Sequence, residues 1–211
     1  WKKDAPSGTA LMLGARVAGE RGDVDSGIEY SSTREGEVIG VHTVHVAGSQ
    51  NGWERPEHGA DRHLMVSRRT KLTIRVPKGY LDALRDGLKG KILDVSGCPM
   101  TLGDGKVRPL STETTMFARY VISEPGEHED RFLSRAAEEL GAMGIRLRKA
   151  LCGKETPLVT PDDVIHTRSL MLADLSPEES VRLQQIGLGR GRSMGCGIFI
   201  PHKGIDAVKK T

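Results

Sequence analysis

Five glycines fall within the eleven residues GLGRGRSMGCG at 187–197, directly after an amphipathic helix end and directly before the apolar run IFIP. No regular element tolerates that density of glycine, so the stretch must be a loop, held at both ends by structure that is not free to move. Gly187, Gly189, Gly191, Gly195 and Gly197 let the backbone approach a phosphate chain closely. Arg190 and Arg192 supply forked donors that stay charged, and Ser193 completes the candidate set. The plain alternative is a solvated surface turn, which the fixed order of helix, loop and strand argues against. A dinucleotide fingerprint would need a glycine three residues after its second one. Those places hold Arg192 after Gly189 and Ile200 after Gly197, so nicotinamide binding at this loop is not expected.

Hydrophobic periodicity places the loop in an α+β pattern. Residues 116–123 read as a strand, and 127–144 as a helix with Phe132, Leu133, Ala136 and Leu140 on one face. Residues 145–151 and 163–175 read as strands, and 195–200 as the last strand. Ser176-Pro177-Glu178-Glu179 gives a cap, a first-turn proline and N-terminal acids for a helix to about 186. The order is βαββαβ, the ferredoxin-like (RRM-like) plan. The segment before it yields an incomplete second unit of the same kind. Residues 63–67 and 71–77 read as a hairpin, 78–90 as a short helix, 91–97 as a strand, and 98–110 as a hairpin turning at Gly103-Asp104-Gly105. Residues 48–62 are polar and turn-rich, as expected of a linker or seam.

At 211 residues, 37% hydrophobic and 4% aromatic, the chain suits two small aliphatic-cored domains, in which nucleic-acid binding would depend on phosphate contacts more than on stacking. No apolar window is long enough to span a membrane, and the opening WKKDAPSG lacks the apolar core of a secretory peptide. Cys98, Cys152 and Cys196 are too few and scattered for a disulfide framework or a zinc site, so buried small hydrophobes, no metal and a cytoplasmic setting are expected. The net charge of +3 hides segregation: residues 1–61 sum to −4, 62–110 to +7, 111–185 to −4 and 186–211 to +4. A charge run is usually a solvated face. Beside the glycine and arginine loop, the basic blocks read as a footprint for a phosphate backbone.

Two families are echoed. The ending GLGRGRSMGCGIFIPHKGIDAV at 187–208, the helix LSPEESVRLQQ at 175–185 and RRTKLTIRVP at 68–77 resemble the CRISPR repeat-processing endoribonucleases, within them the variant found with the myxan subtype of type I systems. The resemblance covers about 62–211. The amino end, KKDAPSGTALMLG at 2–14 with IEYSSTREGEVIGVHTVHVAG at 28–48, is similar to dihydrodipicolinate reductase, an enzyme of lysine biosynthesis, so the chain looks chimeric. That second resemblance implies a dicarboxylate-holding motif at Lys2, Ser7, Gly8 and Thr9, with Asp4 or Ser7 capping a helix that begins near Gly8. The reductase's nucleotide-binding domain and its histidine pair are absent from this sequence. The expected division is therefore a reductase-like fragment at 1–50, a linker or seam at 51–61, a partial ferredoxin-like domain at 62–110, and a ferredoxin-like domain with the RNA-binding loop at 111–211.

The first resemblance implies binding of CRISPR repeat RNA, contact with CRISPR effector-complex subunits, no cofactor, and metal-independent cleavage by 2′-hydroxyl attack. Histidine suits the general base. The family's usual base sits on the first helix of the first domain, which the reductase-like words replace. The candidates are then His202, nearest the loop in sequence, with His58 and His63 at the seam. Enzymatic competence is left open by that replacement, and impaired cleavage is expected. The alternatives are a reductase fragment, which needs a domain not encoded here, and a non-catalytic RNA-binding module on the same platform.

Overall fold

The computed structural model describes residues 9–17, 39–42, 71–95, 98–159 and 163–203. The described residues divide into two compact units, one over Thr9–Arg108 and one from Pro109 onward, with the last residue of the strand Cys98–Pro109 at the boundary. The first unit contains β1 (Thr9–Val17), β2 (Gly40–Val41), β3 (Lys71–Val76), α1 (Leu81–Leu88), β4 (Ile92–Val95) and β5 (Cys98–Pro109), in a sheet ordered β2-β3-β1-β5-β4.

Two expectations fail in this sheet. The chain from Thr9 runs as a strand, not as a helix started by Asp4 or Ser7, and β1 pairs antiparallel with β3 from Thr9 opposite Val76 to Gly14 opposite Lys71. The run TALMLGARV is apolar and interrupted by Gly14, and partnership with β3 outweighs its local helix signal. β2 covers the other edge of β3, Gly40 opposite Arg75 and Val41 opposite Ile74. Both neighbours of β3 thus come from the reductase-like words, and deleting residues 1–48 would strip it of both. The hairpin expected at 98–110 is instead one strand: Gly103-Asp104-Gly105 lies inside β5. Leu102 donates to the Lys91 carbonyl, Gly90 donates to the Leu102 carbonyl, and Asp104 meets Lys89 Nζ at 2.8 Å, so pairing with the neighbouring segment holds the backbone extended. Of the other hairpin, expected over 63–67 and 71–77, the first strand lies outside the described residues and the second is β3. The core of this unit gathers Leu72, Ile74, Val76, Leu81 and Leu102.

The second unit carries β6 (Met116–Ile122), α2 (Glu129–Ala142), β7 (Lys149–Val159), β8 (Val164–Ala173), α3 (Pro177–Ile186) and β9 (Ile200–Pro201). Its antiparallel sheet is ordered β7-β8-β6-β9. α2 forms where Phe132, Ala136 and Leu140 recur every fourth residue, and these bury completely or nearly so against Met116, Ala118, Leu170 and Leu172 of the sheet and Leu183 of α3. Gly144, at φ 71°, ends α2 in a conformation that other residues rarely adopt, and Ile145 returns its amide to the Leu140 carbonyl at 2.9 Å. Truncating Leu140 to Ala would cost about 2–5 kcal/mol.

The strand expected at 145–151 begins only at Lys149, because the Arg146 amide goes to the Glu179 carboxylate and not to a strand partner. β7 and β8 then run on as a long hairpin to Val159 opposite Val164. The strand expected at 195–200 shrinks to Ile200–Pro201. Gly195 and Gly197, at φ 85° and 63°, hold the backbone outside the β region until the glycines are past. No helix among the described residues is long and apolar enough to cross a membrane.

Candidate nucleic-acid interface

α3 delivers the chain into the glycine loop. Ser176 accepts from the Glu179 amide while the Glu179 carboxylate accepts from the Ser176 amide, a reciprocal cap worth about 1 kcal/mol. Glu179 also takes Arg148 and the Arg146 amide. Arg148 foremost, with these amides, holds its carboxyl at about 2, well below the usual carboxylate value.

At the other end Gly187 donates to the Leu183 carbonyl at 2.8 Å and turns at φ 78°. Leu188 buries fully and donates to the Gly197 carbonyl at 3.1 Å, which pins the two ends of the loop together. The Gly191 carbonyl accepts from both Met194 and Cys196 at 3.0 Å, and Gly197 donates to Tyr120 of β6 at 2.7 Å. A side chain at Gly197 would stand 2.0 Å from the Leu188 oxygen. One at Gly187 would stand 2.1 Å from Arg192 Nη1. These two glycines serve close packing under the loop, whereas Gly189, exposed and at φ 69°, has open space around it.

The two arginines part company. Arg190 is exposed, as a phosphate donor should be. Arg192 is not the outward fork expected of it: it is only 5% exposed, its Nη2 reaches the Gln184 carbonyl near the end of α3 at 3.5 Å, and its Nε and Nη1 have no hydrogen-bond partner. Burial pulls its pKa down to about 10, which leaves it charged at neutral pH. A cation beside the carbonyl end of a helix meets the helix dipole, which offsets part of the cost of burying Arg192 beneath the loop. Ser193 is exposed beside it.

Sequence reasoning missed Glu139. This residue of α2 lies fifty positions away and accepts a hydrogen bond from the Gly189 amide. Its place on α2, next to buried Leu140, was the available signal, but the partner was not readable locally.

His202 donates its amide to the Thr115 carbonyl at 3.0 Å, is exposed, and sets its ring 5.7 Å from that of Phe117 at 54°. His58 and His63 lie outside the described residues, as do Lys2, Ser7 and Gly8. Thr9 opens β1. His166 pairs through Nδ1 with Glu155 across the β7–β8 hairpin. Cys196 is fully buried under the loop and Cys152 half-buried, and desolvation raises both thiols.

The family model described as Cas6 Crispr matches residues 29–204. The chain belongs to the Cas6 family. Over 109 residues it is 31% identical to the CRISPR-associated endonuclease Cas6 of Myxococcus xanthus (strain DK1622), a match covering 52% of this chain and 47% of that protein. The chain thus spans about half the length of this curated relative. A Cas6-related protein from Pyrococcus furiosus shares the fold with a TM-score of 0.55 at 12% identity, over 93% of this chain and 99% of that one. A further CRISPR associated protein Cas6 superposes with the same TM-score at 10% identity, over 93% of this chain and all of the other. The Cas6 match begins at residue 29, inside the words that resemble the reductase, and so reaches further toward the amino end than the resemblance over 62–211 implied. A 47-residue stretch is 51% identical to the 4-hydroxy-tetrahydrodipicolinate reductase of Stenotrophomonas maltophilia (strain K279a), covering 22% of this chain and 18% of that enzyme. Cas6 membership therefore describes most of the chain, and the reductase likeness is short.

Proposed function

We propose that this chain binds CRISPR repeat RNA through the glycine loop and belongs to the processing step that cuts precursor transcripts within repeats. The observation that carries the reading is the Gly189 amide, which already holds a carboxylate, that of Glu139. An exposed loop N–H that takes an anion from its own chain can take a phosphate oxygen in its place, with Arg190 beside it. Arg192 contributes positive potential from beneath the loop and not a direct contact.

In the cleavage this family membership implies, a base removes the 2′-hydroxyl proton and the 2′-oxygen attacks the adjacent phosphorus. The bond to the 5′-oxygen breaks as an acid protonates it, leaving a cyclic phosphate and a 5′-hydroxyl. His202, His58 and His63 are the proposed candidates for proton transfer. From the sequence, reductase-like words are expected to stand in place of the family's usual base, and on that expectation cleavage runs about 10²- to 10⁴-fold below that of a member carrying it, with binding preserved. Support for a ferredoxin-like, RRM-like reading of residues 111–211 comes from the strand order β7-β8-β6-β9 with α2 and α3 between the strands in sequence. The linker at 51–61, the partial domain at 62–110, effector-complex contacts and a cytoplasmic setting belong to the same proposal.

The test is repeat-hairpin binding across a salt series. Arg190→Ala should weaken binding and lower the salt slope by about 0.7 to 0.9, one phosphate contact. Glu139→Gln should tighten binding several-fold by removing the competing anion. Unchanged affinity and slope in both variants would defeat the loop assignment. A family-like cleavage rate in EDTA, abolished by His202→Ala at saturating RNA, would refute impairment and make His202 the base.

A further inference from the structure

The sheet of the second unit has two chemically different faces. Met116, Ala118, Leu170 and Leu172 face the helices. The alternate residues face the other way, and the register aligns four of them in one row across all four strands. Ile200 stands opposite Phe117, Phe117 opposite Met171, and Met171 opposite Leu151. Leu151 is 62% exposed and Ile200 37%, with Phe117 and Met171 half-buried between them. Cross-strand neighbours are about 5 Å apart, so the row makes an apolar strip on the order of 15 Å long. The His202 ring, 5.7 Å from Phe117, adds a second π face at one end.

Most ionisable groups around this strip are basic. Arg119 is exposed two residues along from Phe117, Lys203 is exposed after His202, and Lys149 precedes Leu151 by two. Asp174, at the margin, is committed to Lys149 at 2.8 Å. Among the described residues, the alternating positions of β6, β7, β8 and β9 on this face carry no Asp or Glu. A protein-docking surface usually surrounds its apolar centre with a polar rim of mixed sign. An apolar aromatic strip with basic margins suits planar bases strung on phosphates.

We propose that this sheet face is a stacking platform for an unpaired stretch of RNA, with a base on Phe117, His202 flanking it, and Arg119 on a phosphate. The inference rests on the RNA-binding reading of the glycine loop and extends it. Gly197 bonds Tyr120, three residues along β6 from Phe117, so that end of the loop lies on the order of 10 Å from the platform along one strand.

The test compares an unstructured adenosine decamer with an abasic decamer of the same backbone, both fluorescein-labelled, on the full chain. The parent should bind the decamer with bases more tightly. Phe117→Leu, which keeps apolar volume, should erase about 5- to 150-fold of that preference, the effect of one lost base–aromatic stack, with its unfolding midpoint held. Phe117→Tyr should restore it, and hairpin binding through Arg190 should persist in both variants. Equal binding of the two decamers by the parent, or a base preference untouched by Phe117→Leu, overturns the platform. The loop reading fails separately, if Arg190→Ala leaves hairpin affinity unchanged.

Discussion

The two ends of α3 solve the same electrostatic problem in opposite ways. At the amino end Glu178 and Glu179 meet the positive end of the helix dipole, and Glu179 is satisfied by a cap amide, a loop amide and a guanidinium. At the carboxyl end the complementary charge is Arg192, buried, with one long contact to the Gln184 carbonyl and two N–H-bearing nitrogens unmatched. The first end is a finished joint. The second tolerates a desolvated charge directly under the loop proposed to approach a polyanion, and on that proposal stability is given up there for a fixed positive field.

The largest expected effect tests whether the second end depends on its glycines. Gly197→Ala places a methyl 2.0 Å from the Leu188 oxygen at a residue with φ 63°. Strain and overpacking together should cost about 2–6 kcal/mol in denaturant unfolding. Near-parental stability would mean that the loop is free to relax and that the contrast between the ends is overstated.

Glu179→Gln probes the finished end and should cost about 1.5–3 kcal/mol at neutral pH, the range for hydrogen bonds to a charged group. Because the Glu179 carboxyl is held near 2 in the fold, below its ordinary value of 4.5, its contribution is present above about 4.5 and is lost as pH falls toward 2. The gap in unfolding midpoint between parent and variant should therefore close across that window. A gap that stays constant through it would show that the ionised carboxylate is not what stabilises this end.

The smallest effect has the opposite sign. Arg192→Met keeps the stem volume and removes a buried charge whose nitrogens are unmatched, so it should be neutral or stabilising by about 1 kcal/mol, whereas Arg192→Ala should destabilise by leaving a cavity. Paired unfolding curves of the two variants decide it. Equal, strong destabilisation by both would show that the guanidinium is satisfied in solution and would erase the asymmetry.

Sequence patterning alone determined the elements whose causes are local. α2 follows from an apolar residue every four positions, α3 from Ser176-Pro177-Glu178-Glu179, and the existence of the loop from five glycines that neither helix nor strand accommodates. Tertiary structure decided whatever depended on distant partners. β1 is a strand because β3 lies beside it, Gly103-Asp104-Gly105 stays extended because Lys89, Gly90 and Lys91 bond along it, and the last strand is short because Gly197 must turn to reach Tyr120. The candidate site divides in the same way. Which residues are glycine and arginine was plain in the chain, but two arginines two positions apart read identically there. Packing against α3 turned Arg192 inward, left Arg190 in solvent, and brought Glu139 from fifty residues away onto the Gly189 amide. Burial and charge pairing are properties of three-dimensional neighbours, and a local pattern does not name them.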